Sequence, residues 1–251
     1  MEEIYHKILL IAVGFIAGII NTLAGGGSLI TLPVFIFLGL PPTIANGTNR
    51  ISIFIQSLTG TLGYRSKGIS TFPFNLYLGI TASIGALIGA KIALLIDGAL
   101  FNKILAIIMI VVAILLFFKT NTIKSGLPER LKGKHLVYAL IGFFFIGIYG
   151  GFINAGIGIV IMLFLNRINQ LSLLKSNATK LVVVGVYSTI ALAFFAYNDA
   201  VDWAMGLWMA LGTSLGAWWA SRWSVKKGDR IIRIAMIVMV SFMSVKLWFF
   251  D

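Results

Sequence analysis

Cysteine is absent from this chain of 251 residues, which excludes disulfides, thiol nucleophiles and thiolate metal sites. Histidine is nearly absent: His6 and His135 both sit at the edges of apolar runs, so no His-rich metal cluster can form. Charged residues make up only 11%, and acids are scarcest, eight against twenty Lys and Arg. No acid lies deep in an apolar run, because Asp97, Asp199, Asp202 and Asp229 all fall at ends. A proton relay or sodium site built on a buried carboxylate is therefore not visible. No Gly-x-x-x-x-Gly-Lys-Ser/Thr loop occurs, so the chain has no ATPase of its own. No catalytic residue, metal site or cofactor is expected.

What fills the space is hydrocarbon. The chain is 59% hydrophobic and its mean hydropathy is +0.99. A soluble domain of this length could not hide so much apolar surface, so the sequence describes a polytopic, all-α membrane protein. The N-terminus, Met1 to Lys7, is not the basic head of a cleaved signal peptide, and the first run is expected to be retained as a membrane segment.

Apolar segments fall at 8–23, 28–39, 46–64, 73–96, 98–118, 136–154, 158–169, 176–198, 203–224 and 231–250. Crossing the hydrocarbon core takes about 20 helical residues. Segments 28–39 and 158–169 are too short to cross and are expected to be half-helices that enter and turn back. Each follows a glycine break, Ala24-Gly25-Gly26-Gly27-Ser28 in one case and Ala155-Gly156-Ile157-Gly158 in the other. Three glycines inside a helix cost roughly 3 kcal/mol relative to alanine. They also free main-chain groups that lipid cannot satisfy but a protein-lined cavity can.

The net charge of +12 sets topology here and does not point to nucleic acid. Placing the basic loop 119–135 in the cytoplasm puts Arg65, Lys67, Arg167, Lys175 and Lys180 there too. The cluster Arg222, Lys226, Lys227, Arg230 and Arg233 follows, so fifteen of the twenty basic residues lie inside. Both termini are then extracytoplasmic, and the two halves are inverted, provided each short segment returns to the face it came from.

The halves also repeat. An offset of 131 aligns Gly25 with Gly156, Gly27 with Gly158, Asn46 with Asn177, Thr48 with Thr179, Ser57 with Ser188, Gly85 with Gly216 and Lys91 with Arg222. The expected units are a first repeat over 1–120, a cytoplasmic linker over 121–135 and a second repeat over 136–251. Each repeat holds a glycine-broken hairpin and three transmembrane helices. Inverted repeats with broken helices are a common plan for secondary transporters.

One sequence pattern runs from Gly14-Phe15-Ile16-Ala17-Gly18 through Leu23 to Ser28, Leu32-Pro33, Leu38 to Pro42, Ala45-Asn46-Gly47-Thr48-Asn49-Arg50 and Gly63-Tyr64-Arg65. It resembles the sulfite exporter TauE/SafE family, also called the 4-toluene sulfonate uptake permease family. The second half echoes it more loosely, with Ile157 facing Gly26 and Ser172-Leu173 facing Pro41-Pro42. The resemblance implies movement of small sulfur-containing anions, such as sulfite, thiosulfate or organosulfonates, across the cytoplasmic (inner) membrane without ATP hydrolysis.

The residues support an anion site independently. A half-helix beginning at Ser28, and another beginning near Gly158, would offer free N–H groups and the positive ends of their dipoles. Gly25, Gly26, Gly27, Gly156 and Gly158 would let backbone approach the ligand, and Ser28 adds a hydroxyl. The second candidate element is Asn46, Thr48, Asn49 and Arg50, with its counterpart Asn177, Thr179 and Lys180. The bland alternatives are N-capping by Asn46 and Asn177, and snorkelling of Arg50 and Lys180 from one turn inside their helices. Arg50 is preferred as ligand because its fork fits paired oxyanion oxygens, and Arg50→Ala should harm transport far more than folding. Asn21, Asn154, Gln56 and Tyr187 are secondary candidates. The pairs Gly14/Gly18, Gly85/Gly89, Gly147/Gly151 and Gly212/Gly216 are read as packing glycines. The expected function is a secondary transporter working by alternating access. An anion channel is the alternative, and a membrane enzyme a remoter one. Its partners are the anion, the lipid bilayer and, as an option, further copies of the chain, but no nucleic acid.

Overall fold

The computed structural model describes residues 2–117 and 128–227, and every regular element among them is an α-helix. In chain order these are α1 (Glu2–Ala24), α2 (Ser28–Phe37), α3 (Pro42–Arg65), α4 (Phe74–Leu95) and α5 (Gly98–Phe117), followed by α6 (Lys134–Phe152), α7 (Ile157–Ile168), α8 (Leu173–Tyr197) and α9 (Trp203–Lys227). They match the first nine expected segments. The tenth segment, 231–250, lies outside the described residues, as do Gly228, Arg230, Arg233 and residues 121–127 of the linker.

Helices α1, α4, α6 and α8 are long and apolar enough to cross a membrane. They also expose large hydrophobic side chains on their outer faces, among them Ile80, Ile84 and Ile88 on α4 and Ile141 and Phe145 on α6. Helices α2 and α7 are short, 10 and 12 residues, or about 15 and 18 Å of rise.

Both breaks use left-handed backbone. Gly25, at φ +84°, closes α1 with its N–H on the Asn21 carbonyl at 2.9 Å. The second hairpin turns through Asn154 at φ 62° and Gly156 at φ 69°, a conformation asparagine tolerates better than most residues. Helix α3 begins at Pro42, a residue suited to the first helical position. Helix α8 begins at Leu173, where the Ser172 hydroxyl accepts from the Lys175 N–H at 3.2 Å. Both helices therefore start four residues ahead of the asparagines expected to cap them. Asn46 and Asn177 are not N-caps, and Arg50 and Lys180 lie two turns inside.

The packing interleaves the two halves. Gly14 and Gly18 of α1 press on Met209 and Thr213 of α9, while Gly212 and Gly216 press back on Ile11 and Phe15. Gly85 and Gly89 of α4 meet Phe144 and Ile148 of α6, and Gly147 and Gly151 return to Ala82 and Ala86. In all eight cases a Cβ would collide with a carbonyl oxygen across the interface. These glycines let main chains touch, as the packing interpretation requires.

Residue numbers rise together across both pairs, so each pair is parallel. Gly206 of α9 bonds Ser52 of α3, and Tyr64 bonds Ser224, so α9 also runs parallel to α3. Gly79 packs on Val186, and Thr71 bonds Thr179, so α4 runs parallel to α8. Across the centre, Gly47 meets Phe195, Ser57 meets Gly185, and Gly60 meets Leu181, so α3 and α8 are antiparallel. Helices α1, α3 and α9 thus run one way and α4, α6 and α8 the other.

The second hairpin closes on itself. Asn169, just past α7, accepts at its carbonyl from the Arg130 N–H at 2.9 Å and donates its amide to the Arg130 carbonyl at 2.8 Å. The end of α7 therefore lies beside the segment leading into α6. At the same end of the molecule Lys67, Arg222 and Lys226 line one groove with Trp218, Trp219 and Trp223. Lys91 is exposed, and Arg222 lies over the Trp218 ring at 5.0 Å.

Candidate functional site

The two glycine breaks touch each other. A Cβ on Gly25 would stand 2.6 Å from the Gly158 Cα, and one on Gly158 would stand 2.8 Å from the Gly25 carbonyl oxygen. No side chain fits between the hairpins at this point. Ser28, the first residue of α2, accepts at its hydroxyl from the Asn154 amide at 3.2 Å. Asn154 in turn accepts from the Tyr187 hydroxyl, so a polar thread joins the first break to α8 through the second.

Each break is gripped by the opposite half. The Arg50 guanidinium donates to the Gly150 carbonyl at 2.5 Å and the Gly151 carbonyl at 2.8 Å, in the last turn of α6. Its neighbour Asn46 donates to the Phe152 carbonyl at 2.7 Å and accepts from Arg50 at 3.1 Å. Lys180 does the same for α1, donating to the Asn21 carbonyl at 2.7 Å and the Thr22 carbonyl at 3.3 Å. Asn177 donates to the Leu23 carbonyl at 3.1 Å and accepts from Lys180 at 2.6 Å. The last carbonyls of a helix lack intrahelical partners and form the negative end of its dipole. A cation and an amide placed there satisfy both needs.

Arg50 is 0% exposed and Lys180 1%. Neither snorkels to an interface. No acid is buried among the described residues, so these two cations are balanced only by carbonyl and amide dipoles.

All thirteen site residues expected from the sequence are buried. Gly25, Gly26, Gly27 and Ser28 form the first tip and Gly156 and Gly158 the second. Asn46, Arg50, Asn177 and Lys180 grip the tips. Asn49 accepts from the Thr31 hydroxyl of α2 at 2.8 Å. Thr48 and Thr179 are not brought together with these residues. Thr48 accepts from the Asp202 N–H at 2.8 Å, and Thr179 bonds Thr71 at 2.7 Å, so both face the segments that lead into α9 and α4. Positions 71 and 202 are themselves 131 apart, which makes the two contacts equivalent under the repeat. Of the secondary candidates, Asn21 accepts from the Gly27 N–H at 3.4 Å, and Asn154 and Tyr187 belong to the polar thread.

Sequence reasoning passed over Thr31, Ser57 and Ser188 as site residues. A signal for Ser57 was present. Asn46, Asn49, Arg50, Ile53, Gln56, Ser57 and Gly60 follow the three- and four-residue spacing of one helix face, and all are buried. A polar stripe on an inward face is what a lined path through lipid requires.

The family model described as Sulfite exporter TauE/SafE matches residues 10–247. The chain belongs to the TauE/SafE family. Among TauE/SafE relatives it is 30% identical over 250 residues to a Sinorhizobium protein named "Probable membrane transporter protein ORF9", covering 98% of this chain and 95% of that one. It is 29% identical to a Haemophilus influenzae protein named as a membrane transporter, covering 94% and 91%. The YfcA protein of Escherichia coli K12, named likewise, is 28% identical over 95% of this chain and 88% of its own. No solved structure matches. The chain is therefore a multi-pass membrane protein of a transporter family, with helices suited to that setting.

Proposed function

We propose that this TauE/SafE protein is a secondary transporter of small sulfur-containing anions such as sulfite, thiosulfate or organosulfonates. The observation that carries this reading is the interior positive charge, which is met by dipoles and by no buried acid among the described residues. Two fully buried cations, with no buried acid among the described residues, leave a positive potential at the junction of two broken helices. Such a potential inside lipid favours an anion and opposes a cation. Gly25, Gly26, Gly27, Ser28, Gly156 and Gly158 line the path, Asn49 flanks it, and Arg50 and Lys180 supply the charge.

Inverted repeats over 1–120 and 136–251, joined through the 121–135 linker, fit the opposite directions of α1 and α6 and of α3 and α8. Re-entrant hairpins fit the lengths of α2 and α7 and the closure of α7 on Arg130. The basic groove around Lys67 and Arg222 then faces the cytoplasm, with both termini outside and the protein in the inner membrane. Alternating access would not rock one half against the other. Helix α1 is bolted to α9 and α4 to α6, so the moving bodies are mixed bundles drawn from both halves.

Counterflow in proteoliposomes tests this. Vesicles preloaded with unlabelled sulfite or thiosulfate should take up labelled anion faster than empty ones if the protein is a carrier. Uptake that preloading does not accelerate, together with single-channel currents, would establish a channel. Absence of uptake for every sulfur oxyanion, alongside uptake of a carboxylate, would overturn the assigned cargo.

A further inference from the structure

The buried donors on α3 and α8 are not all used. Among the described residues, Asn49 Nδ2, Arg50 Nε, Gln56 Nε2 and Ser57 Oγ on α3 and Ser176 Oγ and Ser188 Oγ on α8 are buried without a hydrogen-bond partner. Three of them lie within a helical turn of one crossing of α3 and α8. Ser57 faces Gly185, its Cβ 3.3 Å from where a Cβ on that glycine would stand. Ser188 lies one turn further along antiparallel α8, and Gln56 adjoins Ser57. Gln56 is 3% exposed, Ser57 1% and Ser188 0%.

This crossing is also the centre of the repeat. Ser57 and Ser188 are 131 apart, and Gly185, which Ser57 faces, stands 131 after Phe54. The two serines therefore approach the crossing from opposite sides in equivalent ways. A site at that point stands in the same relation to both faces of the membrane, which is what a carrier with two alternating openings needs.

We propose that Ser57, Ser188 and Gln56, where α3 crosses α8, form the resting site of the transported oxyanion. The proposal rests on the anion-transport reading above and assigns its cargo to a place distinct from the glycine tips. Two hydroxyls and one amide can each donate to a separate oxygen of a pyramidal or tetrahedral sulfur oxyanion, whereas a planar carboxylate has only two oxygens to offer. All three donors are neutral. Arg50 and Lys180 lie about 10–12 Å along their helices from this level and act on the anion through their field. No buried ion pair has to break when the cargo leaves, so binding need not oppose release.

The experiment compares the purified wild type with Ser57→Ala, Ser188→Ala and the double variant. It uses sulfite, thiosulfate, ethanesulfonate and formate, each alone. Binding is read from the ligand-dependent shift in melting temperature and transport from proteoliposome uptake. Each single variant should weaken sulfur-oxyanion binding by a similar factor of a few, and the double variant at least tenfold. Formate should change least. The ligand-free melting temperature should hold or rise, because removing an unpaired buried hydroxyl takes away a desolvation penalty. A purely structural role predicts a lower ligand-free melting temperature and unchanged affinity. Wild-type affinity and uptake in the double variant would overturn the site while leaving the transport reading intact. Failure of the wild type to bind any sulfur oxyanion would overturn both. Should the double variant not fold, Gln56→Leu decides the matter in its place: a tenfold loss supports the site and an unchanged affinity removes it.

Discussion

The two hairpin tips solve one problem with different chemistry. At the end of α6, Arg50 spreads two nitrogens over the Gly150 and Gly151 carbonyls and Asn46, with Phe195 lying 5.6 Å from its guanidinium carbon. Its Nε stays unpaired. At the end of α1, Lys180 meets the Asn21 and Thr22 carbonyls and Asn177, which match the three donors of an ammonium. Lys180 is a saturated holder, whereas Arg50 holds a helix and keeps one donor in hand. The glycine tips differ in the same direction. The first has Gly26 where the second has the buried apolar Ile157, so the first has more bare main chain to offer. The two halves hold their tips in a common pattern but with unequal donor sets.

The most damaging way to break this comparison is at the contact between the tips. Gly158→Ala drives a Cβ into the Gly25 main chain, where no side chain can yield, and Gly25→Ala adds a strained φ. Both variants should lose monodispersity in size-exclusion chromatography after extraction. A well-folded Gly158→Ala protein would mean the tips can separate.

Next come the cations. Hydrogen bonds to charged groups are worth about 1.5–3 kcal/mol each. Arg50→Ala and Lys180→Ala should therefore each cost about 3 kcal/mol or more, seen as a lower denaturation midpoint. The sequence expectation is that Arg50→Ala harms transport far more than folding; because the side chain also terminates α6, a folding cost of this size should accompany any transport loss. The conservative exchange separates the two roles. Arg50→Lys keeps the charge but loses the fork over the Gly150 and Gly151 carbonyls, so it should lower the denaturation midpoint while transport per folded molecule stays within a few fold. A tenfold transport loss in folded Arg50→Lys protein would mean that Arg50 touches the anion directly and does not act through its field alone.

The smallest expected effect lies at the helix starts. Ser172→Ala removes the side-chain cap at the start of α8 and should cost about 1 kcal/mol. Helix α3 begins with Pro41-Pro42 and no side-chain cap, so Pro41→Ala should shift the melting temperature less. Thermal denaturation of the two variants side by side checks the order.

Much of this frame was legible in the sequence. The described helices coincide with apolar runs, and both breaks fall at their glycines, because lipid-scale hydrophobicity and left-handed backbone leave strong local signatures. The packing glycines were legible too, since Gly14/Gly18 and Gly85/Gly89 stand at the four-residue spacing that close helix contact needs. What could not be read was who grips whom. Arg50 and Gly150 are 100 residues apart, Asn177 and Leu23 are 154 apart, and no local pattern encodes such a partner. The assumption that asparagine before a helix caps that helix then misplaced Asn46 and Asn177, which cap the ends of distant helices instead. Thr48 and Thr179 misled for a related reason: they share the motif but lie two residues from the asparagines, on the other face of the helix.

The glycine faces that join α1 to α9 and α4 to α6 also bear on how the protein is made. Helix α1 leaves the ribosome nearly two hundred residues before the surface it is shaped to meet, and α4 waits for α6 across the whole linker. Until α8 is made nothing holds the broken end of α1, and until α9 follows its bare main-chain face has no partner. Insertion can proceed helix by helix, but the fold can only lock once the second repeat is in the bilayer. The nascent first repeat is thus an obligate intermediate that the membrane must carry unfinished, and either repeat alone should be a substrate for quality-control proteolysis.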